Sequence, residues 1–225
     1  MSVTHNIGKT EKAEMYLKAI LLIGYENPPV TVTKVAEFLG VSAASVSEMM
    51  KRMEANDLVT VTGAGIVLTP AGLQDARRLV RRMRLAERLL SDVLGLPLAN
   101  VYEEACRLEH AISDAVEERI AAVLGDPDTC PHGHPIPSAA GRVDCPLAES
   151  LSQFGPGDRA TVVNVPERDP DLLRYLEGFG IRPGVEVLVE DVAPYNGPFF
   201  LRIGDRRQAV AREALEQVRV IPLPD

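Results

Sequence analysis

Residues 31–68 of the sequence, TVTKVAEFLGVSAASVSEMMKRMEANDLVTVTGAGIVL, decide the fold of the N-terminal part of the chain. Their apolar spacing predicts a short helix that stops at Gly40, and Ser42 is placed to cap a second helix over 43–55. Alternating residues on both sides of a glycine-rich turn at 63–65 predict a β-hairpin. A helix-turn-helix followed at once by a hairpin is a winged helix, whose second helix can enter the major groove of DNA.

Helices are predicted on both sides of this motif. Apolar residues at helical spacing predict one helix over 10–25 and a long helix with a basic face over 70–95. A further single helix is predicted over 98–124, where apolar residues recur at 98, 101, 105, 108, 112, 116 and 120. Because a helix-turn-helix binds palindromic DNA most naturally as a two-fold dimer, we interpret this apolar stripe as the seam of a homodimer.

The C-terminal part has a different pattern. Residues 126–158 are rich in proline, glycine and serine, which is typical of a linker or an extended surface loop. Short strands follow, interrupted by one helix over 171–177, and they predict a small SH3-like β-barrel. The predicted fold is therefore mainly α with a small β domain. Its parts are a winged helix-turn-helix (1–74), a helical metal-binding and dimerisation domain (75–140), a linker (141–157) and an SH3-like, FeoA-like domain (158–225).

Composition limits the class of protein. The 225 residues are 46% hydrophobic and 25% charged, which is typical of a globular protein and excludes disorder, collagen and membrane spans. The N-terminus lacks the apolar stretch of a signal peptide, so we expect a cytoplasmic protein without a membrane partner. The net charge of −8 is uneven: residues 1–96 carry +2 and residues 97–225 carry −10. A polyanion should therefore bind the first third of the chain.

Eight residues are candidates for contact with DNA: seven lie on or beside the predicted recognition helix, one lies in the preceding short helix, and Lys51 is placed to reach a phosphate. Serines and a lysine on an exposed helix face are also common without any ligand, but the order of three helices and a hairpin favours DNA binding. The candidates are Thr33, Ser42, Ala43, Ala44, Ser45, Ser47, Glu48 and Lys51.

Potential metal ligands form two groups. Cys106, Glu109 and His110 are spaced i, i+3 and i+4, so a helix would present a thiolate, a carboxylate and an imidazole on one face. Cysteine and histidine in an apolar helix are also common as core residues. The second group is Cys130 and His132 in CPHGHP, a proline-stiffened turn that could instead simply bridge two domains. Three cysteines, with Cys145 unpaired in sequence, make a disulfide scaffold a poor interpretation.

Several motifs occur together in a recognisable order: TEKAEMYLKAI (10–20), RMEANDLV (52–59), RLAERLLSDVLGL (84–96), EEACRLEHAISDAVEERI (103–120) and CPHGHPIP (130–137). The chain resembles, over essentially its whole length, the diphtheria toxin repressor family of iron- or manganese-dependent regulators. This resemblance implies a dimer that binds palindromic operator DNA when loaded with Mn²⁺ or Fe²⁺, with two metal sites per subunit.

The resemblance also implies ligand sets. The implied primary site consists of Met15, Cys106, Glu109 and His110. For the second site, the family's two flanking histidines correspond here to Met83 and Tyr102, so that version of the site is incomplete. The streptococcal manganese and iron regulators resemble this chain better at this point. They imply Glu87, Cys130, His132 and Asp169, with Glu167 or Asp171 as substitutes for Asp169.

The predicted function is a divalent-metal-dependent transcriptional regulator, acting as a repressor of metal uptake and homeostasis genes. A thioether and a thiolate in the primary set favour iron over manganese. Two alternatives belong to other classes. One is a winged-helix regulator that senses a small organic ligand, with Cys106 and His110 merely packed. The other is a zinc-dependent hydrolase using Glu109 and His110. It is disfavoured because the His-Glu-x-x-His pattern is absent, no motif supplies both an open metal position and a general base, and no catalytic residue is assigned.

Overall fold

The computed structural model describes residues 11–143 and 147–224 and divides the chain into two compact units. Within these ranges, unit 1 comprises residues 11–82 and 137–142, and unit 2 comprises residues 83–136, 143 and 147–224. Cys145 lies outside the described residues. No helix in the described ranges is both long enough and apolar enough to cross a bilayer.

Unit 1 contains the predicted winged helix. Its elements are α1 (Glu11–Glu26), α2 (Val32–Leu39), α3 (Ala43–Ala55), β1 (Val59–Thr62) and β2 (Gly65–Leu68). Gly40 ends α2 in the left-handed conformation (φ 65°), and its N–H bonds the carbonyls of the last turn. The side chain of Ser42 then caps α3 by accepting a hydrogen bond from the Ser45 N–H at 3.1 Å. The turn between the two helices is therefore determined by local sequence.

The helices of unit 1 are held by one apolar core. Leu17 and Ile20 of α1 pack with Val35 of α2 and with Val46 and Met50 of α3, all at most 2% exposed. β1 and β2 pair antiparallel from Val59↔Leu68 to Thr62↔Gly65 and form the wing. Because the buried residues of α3 lie on one face, its other face is exposed.

In unit 2, the predicted single helix over 98–124 is wrong, because the structure has two helices there. Following α4 (Pro70–Arg88) and a π-helical turn (Leu89–Val93), the chain forms α5 (Leu98–Leu108) and α6 (Asp114–Val123). Ser113 starts α6, since its side chain accepts a hydrogen bond from the Val116 N–H at 3.3 Å. The periodic pattern alone did not reveal this cap.

The break divides the apolar stripe that was interpreted as a dimer seam. Val101, Ala105 and Ile112 are buried in a core cluster with Met83, whereas Leu108 and Val116 are 39% and 46% exposed. Three of the seven stripe positions therefore stabilise the core of unit 2 itself.

The C-terminal part of unit 2 is an antiparallel sheet of six strands in the order β3-β8-β4-β5-β6-β7. Its elements are β3 (Glu149–Ser150), β4 (Arg159–Asn164), α7 (Pro170–Gly178), β5 (Glu186–Val192), β6 (Phe199–Ile203), β7 (Arg206–Val210), α8 (Arg212–Leu215) and β8 (Arg219–Pro222). The architecture is SH3-like, but the described strands do not close into a barrel, because the edge strands β3 and β7 do not pair. The sheet begins at Glu149, inside the predicted linker 141–157.

Candidate metal centre

Four side chains with metal-binding atoms converge inside unit 2: Glu87, Cys130, His132 and Glu167. One potential ligand atom from each lies within 4.8 Å of those of the other three. Glu87 and His132 are fully buried, and Cys130 and Glu167 are 1% and 5% exposed. A sulfur, an imidazole nitrogen and two carboxylates are therefore gathered away from solvent.

Three separate segments supply these residues. Glu87 lies on the last turn of α4, Cys130 and His132 lie in the CPHGHP loop, and Glu167 follows β4. The loop is fixed by main-chain hydrogen bonds from Cys130 N–H to the His134 carbonyl (2.9 Å) and from Val165 N–H to the His132 carbonyl (3.0 Å). Arg84 and Arg88 of α4 also donate to loop carbonyls, those of Pro135 and Thr129. The turn is thus built into the core of unit 2, although its composition is that of a surface linker.

Distances within the cluster fit a shared ion. His132 Nδ1 lies 3.5 Å from Glu87 Oε1 and 4.0 Å from Cys130 Sγ. On its other side, His132 Nε2 contacts the Leu98 carbonyl at 3.3 Å, which orients the ring so that Nδ1 points into the cluster. Both carboxylate oxygens of Glu87 are buried, and neither accepts a hydrogen bond of normal geometry. A carboxylate buried in this way needs a positive partner, which either a protonated His132 or a bound cation would supply.

The pKa shifts of Cys130 and His132 indicate that the cluster has an excess of negative charge. Burial, followed by the negative charge of Glu87, raises the pKa of the Cys130 thiol well above its usual range. Burial alone would lower the pKa of His132, but Glu87 and Glu167 raise it overall. A divalent cation would reverse these effects by stabilising the thiolate and the neutral imidazole, so the donor set fits a metal ion and binding should release protons.

The fourth side chain of the cluster differs from the one named from sequence. Asp169 is exposed and serves as the N-cap of α7, where its Oδ1 accepts a hydrogen bond from Leu172 N–H at 2.9 Å. Asp171 is also exposed and pairs with Arg174 at 2.7 Å. Glu167, the other substitute named from sequence, is the residue that lies in the cluster. Three acids within five residues look equivalent in sequence, and only the path of the chain after β4 distinguishes them.

Residues of the predicted primary set lie in both units. Met15, 44% exposed, belongs to α1 in unit 1. Cys106 is half-buried on α5, Glu109 is fully buried at the end of that helix, and His110 follows in the turn. His110 Nε2 lies 3.4 Å from Glu109 Oε1. α5 ends at Leu108, and Glu109 continues it as the C-cap in helical conformation (φ −53°, ψ −37°), with its N–H bonded to the Ala105 carbonyl.

The positions that correspond to the family's two other histidines are Met83 and the partly buried Tyr102, and both lie beside Cys106. Met83 is fully buried, and its Sδ lies 3.9 Å from Cys106 Sγ. Burial, reinforced by Cys106 and Glu167, raises the pKa of Tyr102. Nothing in the sequence pairs Met83 with Cys106, because helix spacing does not show which residues of two helices meet.

In unit 1 all eight candidates for DNA contact are exposed. Three of these side chains also make contacts within α3. Ser42 caps the helix, Ser47 Oγ donates a hydrogen bond to the Ala43 carbonyl at 3.0 Å, and Glu48 forms an ion pair with Arg52. The exposed face of α3 thus presents small residues in its first turn and a lysine further along.

Family models match three successive parts of the chain. Residues 9–65 match the iron dependent repressor N-terminal DNA binding domain, and residues 69–138 match the iron dependent repressor metal binding and dimerisation domain. Residues 149–222 match the FeoA domain.

Individual proteins of known name are also similar to this chain. The iron-dependent repressor IdeR of Mycobacterium tuberculosis (strain H37Rv) is 34% identical over 224 residues, covering 93% of this chain and 96% of that protein. The diphtheria toxin repressor of Corynebacterium diphtheriae is 41% identical over 128 residues, 56% of this chain and 57% of that protein.

Among solved structures, a manganese-dependent transcriptional repressor in complex with manganese matches with a TM-score of 0.88 at 34% identity, covering 94% of this chain and all of that one. The manganese regulator SloR matches with a TM-score of 0.77 at 29% identity, covering 94% and 98%. Sequence and architecture agree over nearly the full length, and the chain therefore belongs to the diphtheria toxin repressor family of iron-dependent repressors.

Proposed function

We propose that the protein is a transcriptional repressor that binds DNA as a homodimer when it holds Mn²⁺ or Fe²⁺, and that it controls genes of metal uptake and homeostasis. The observation that carries the proposal is the buried cluster of four metal-binding side chains in a chain that also contains a winged helix. Relatives named as iron- or manganese-dependent repressors support the same function. We assign it no enzymatic reaction and place it in the cytoplasm.

We assign the secondary metal site to Glu87, Cys130, His132 and Glu167. An ionised Cys130 and two carboxylates would bring three negative charges into a buried space. A divalent ion and the guanidinium of Arg84, which acts on the Cys130 thiol, would balance them. Carboxylates suit Mn²⁺, whereas imidazole and thiolate suit Fe²⁺, so the mixed set admits both ions.

We assign the primary site to Cys106, Glu109 and His110, with Met15 as the fourth ligand implied by the family. The burial of Glu109 and its 3.4 Å separation from His110 support this assignment. Since metal and DNA would each favour the same conformation of the dimer, binding of one must strengthen binding of the other.

The DNA interface is assigned to the exposed face of α3. Ala43 and Ala44 in its first turn would permit close approach to base edges, while Lys51 would contact a phosphate. A two-fold dimer places two such helices in successive major grooves, so we expect palindromic operators. The overall charge of −8 leaves few phosphate contacts, and the salt dependence of binding should be modest for a dimer.

The function is tested by DNA binding of the metal-free protein. Labelled DNA from upstream of a metal transporter gene is titrated with protein in chelator, Mn²⁺, anaerobic Fe²⁺ or Zn²⁺, and anisotropy is recorded. We expect affinity to rise about 5- to 150-fold with Mn²⁺ or Fe²⁺, the usual range of allosteric coupling. Equal affinity under all conditions would overturn metal control and favour the regulator that senses an organic ligand.

A second prediction distinguishes Glu167 from Asp169 as the metal ligand. Glu167→Gln should weaken one of two Mn²⁺-binding steps by at least about tenfold, because it removes a charged ligand atom. Asp169→Asn is the matched control, since asparagine also caps a helix. Mn²⁺ binding is followed by the electron paramagnetic resonance signal of free Mn²⁺. A loss in Asp169→Asn with none in Glu167→Gln would reverse the assignment.

A further inference from the structure

Unit 2 contains a pair of sulfur atoms that the proposed sites do not explain. Met83 on α4 and Cys106 on α5 bring Sδ and Sγ to 3.9 Å. Met83 is fully buried, and Cys106 packs against the same apolar cluster, which includes Ala86, Val101 and Ala105. Cys106 is assigned to the primary site, whereas Met83 has no role in either proposed site.

The separation of the two sulfur atoms fits a shared ion. The sulfur atoms lie 3.9 Å apart. If each binds a metal at about 2.3 Å, the sulfur–metal–sulfur angle is about 115°. This angle lies between the values for tetrahedral and trigonal coordination. The two sulfurs are therefore placed as two ligands of a three- or four-coordinate ion, whose remaining one or two positions other ligands would fill.

The donor types select the ion. A thiolate with a thioether is a soft ligand pair that suits Cu(I), whereas Zn²⁺ in proteins is bound by thiolate, imidazole and carboxylate. Charge also favours Cu(I). Cu(I) and one thiolate form a neutral pair, and burying a neutral pair among apolar side chains costs less free energy than burying a net charge. We propose that Met83 and Cys106 bind Cu(I). Cu(I) replaces the proton of the Cys106 thiol, which passes to water, and no electron is transferred.

This site goes beyond the proposed function, since Cu(I) binding requires neither Mn²⁺, Fe²⁺ nor DNA. It also has a consequence for that function. Cu(I) on Cys106 occupies the thiolate assigned to the primary site, so copper should oppose activation by Mn²⁺.

The test measures Cu(I) affinity directly. The sequence has three cysteines, so Cys130→Ser with Cys145→Ser leaves Cys106 as the single thiol. Cu(I), kept reduced by ascorbate without oxygen, is partitioned between this protein and the colorimetric chelator bicinchoninate. We expect one Cu(I) per chain. Adding Met83→Leu should weaken binding by at least about tenfold, since even outer-sphere partners cost that much. The swap preserves side-chain volume.

Met53→Leu is the matched control, because Met53 is 2% exposed but lies in the core of unit 1. It should leave Cu(I) affinity unchanged, and Cys106→Ser should abolish binding. Equal affinity in Met83→Leu and its parent would overturn the proposal, as would failure of the parent to bind Cu(I). If the double cysteine variant unfolds, Met83→Leu and Met53→Leu are compared in the unaltered chain. X-ray absorption at the copper edge must then show one sulfur ligand fewer on copper in Met83→Leu and no change in Met53→Leu.

Discussion

Replacing Gly133 with alanine is expected to lower the free energy of unfolding of unit 2 by about 3 kcal/mol or more. Gly133 has φ +89°, which side chains rarely adopt, and an added Cβ would lie 1.9 Å from the Val163 carbonyl oxygen. That oxygen belongs to the backbone of β4 and cannot move aside as a flexible side chain would. The substitution therefore combines backbone strain with a direct steric conflict.

The same substitution should also remove metal binding at the secondary site. Gly133 follows His132, whose carbonyl accepts a hydrogen bond from Val165 N–H, so any shift of the loop moves a proposed ligand. Urea unfolding in the presence of a chelator measures stability, and Mn²⁺ titration of the folded fraction measures binding.

Gly125→Ala is the control that measures the cost of the positive φ angle without a steric conflict. Gly125 has φ +75° but no atom within 4 Å of an added Cβ, so the cost should be only about 1–2 kcal/mol with unchanged Mn²⁺ binding. If Gly133→Ala were no more costly than Gly125→Ala, the close contact with β4 would be refuted.

Cys106→Ala is expected to abolish the stimulation of DNA binding by metal, whereas Cys130→Ala should reduce it without abolishing it. Cys106 belongs to the proposed primary site, whose metal would favour the DNA-binding conformation, and Cys130 belongs to the proposed secondary site. Stimulation of about 5- to 150-fold in the unaltered protein should fall to about onefold in Cys106→Ala. It should be intermediate in Cys130→Ala.

Anisotropy titrations with and without Mn²⁺ or anaerobic Fe²⁺ measure, for each variant, the factor by which metal raises DNA affinity. DNA affinity in chelator is the internal control, because neither cysteine lies in the winged helix and that affinity should not change. Full stimulation in Cys106→Ala would remove this residue from the sensor. Full stimulation in Cys130→Ala would leave the CPHGHP loop with a structural role only.

Local sequence was sufficient for the helix-turn-helix. Gly40 and Ser42 are a stop and a cap whose effect depends on neighbours a few residues away, and both act as predicted. Periodicity alone predicts one helix over 98–124, because it does not show the cap at Ser113 that separates α5 from α6. The predicted SH3-like part is present as an open six-stranded sheet, since closure depends on whether distant edges meet.

The sequence by itself determined the family, the order of the elements and the residue types available for binding a metal, because motifs and caps are local. Only the tertiary structure decided which of these residues meet. It selected Glu167 instead of Asp169, buried the CPHGHP turn beside α4, and paired Met83 with Cys106. These contacts join segments between 23 and 80 positions apart, and their geometry follows from how helices and strands pack, which local spacing does not encode.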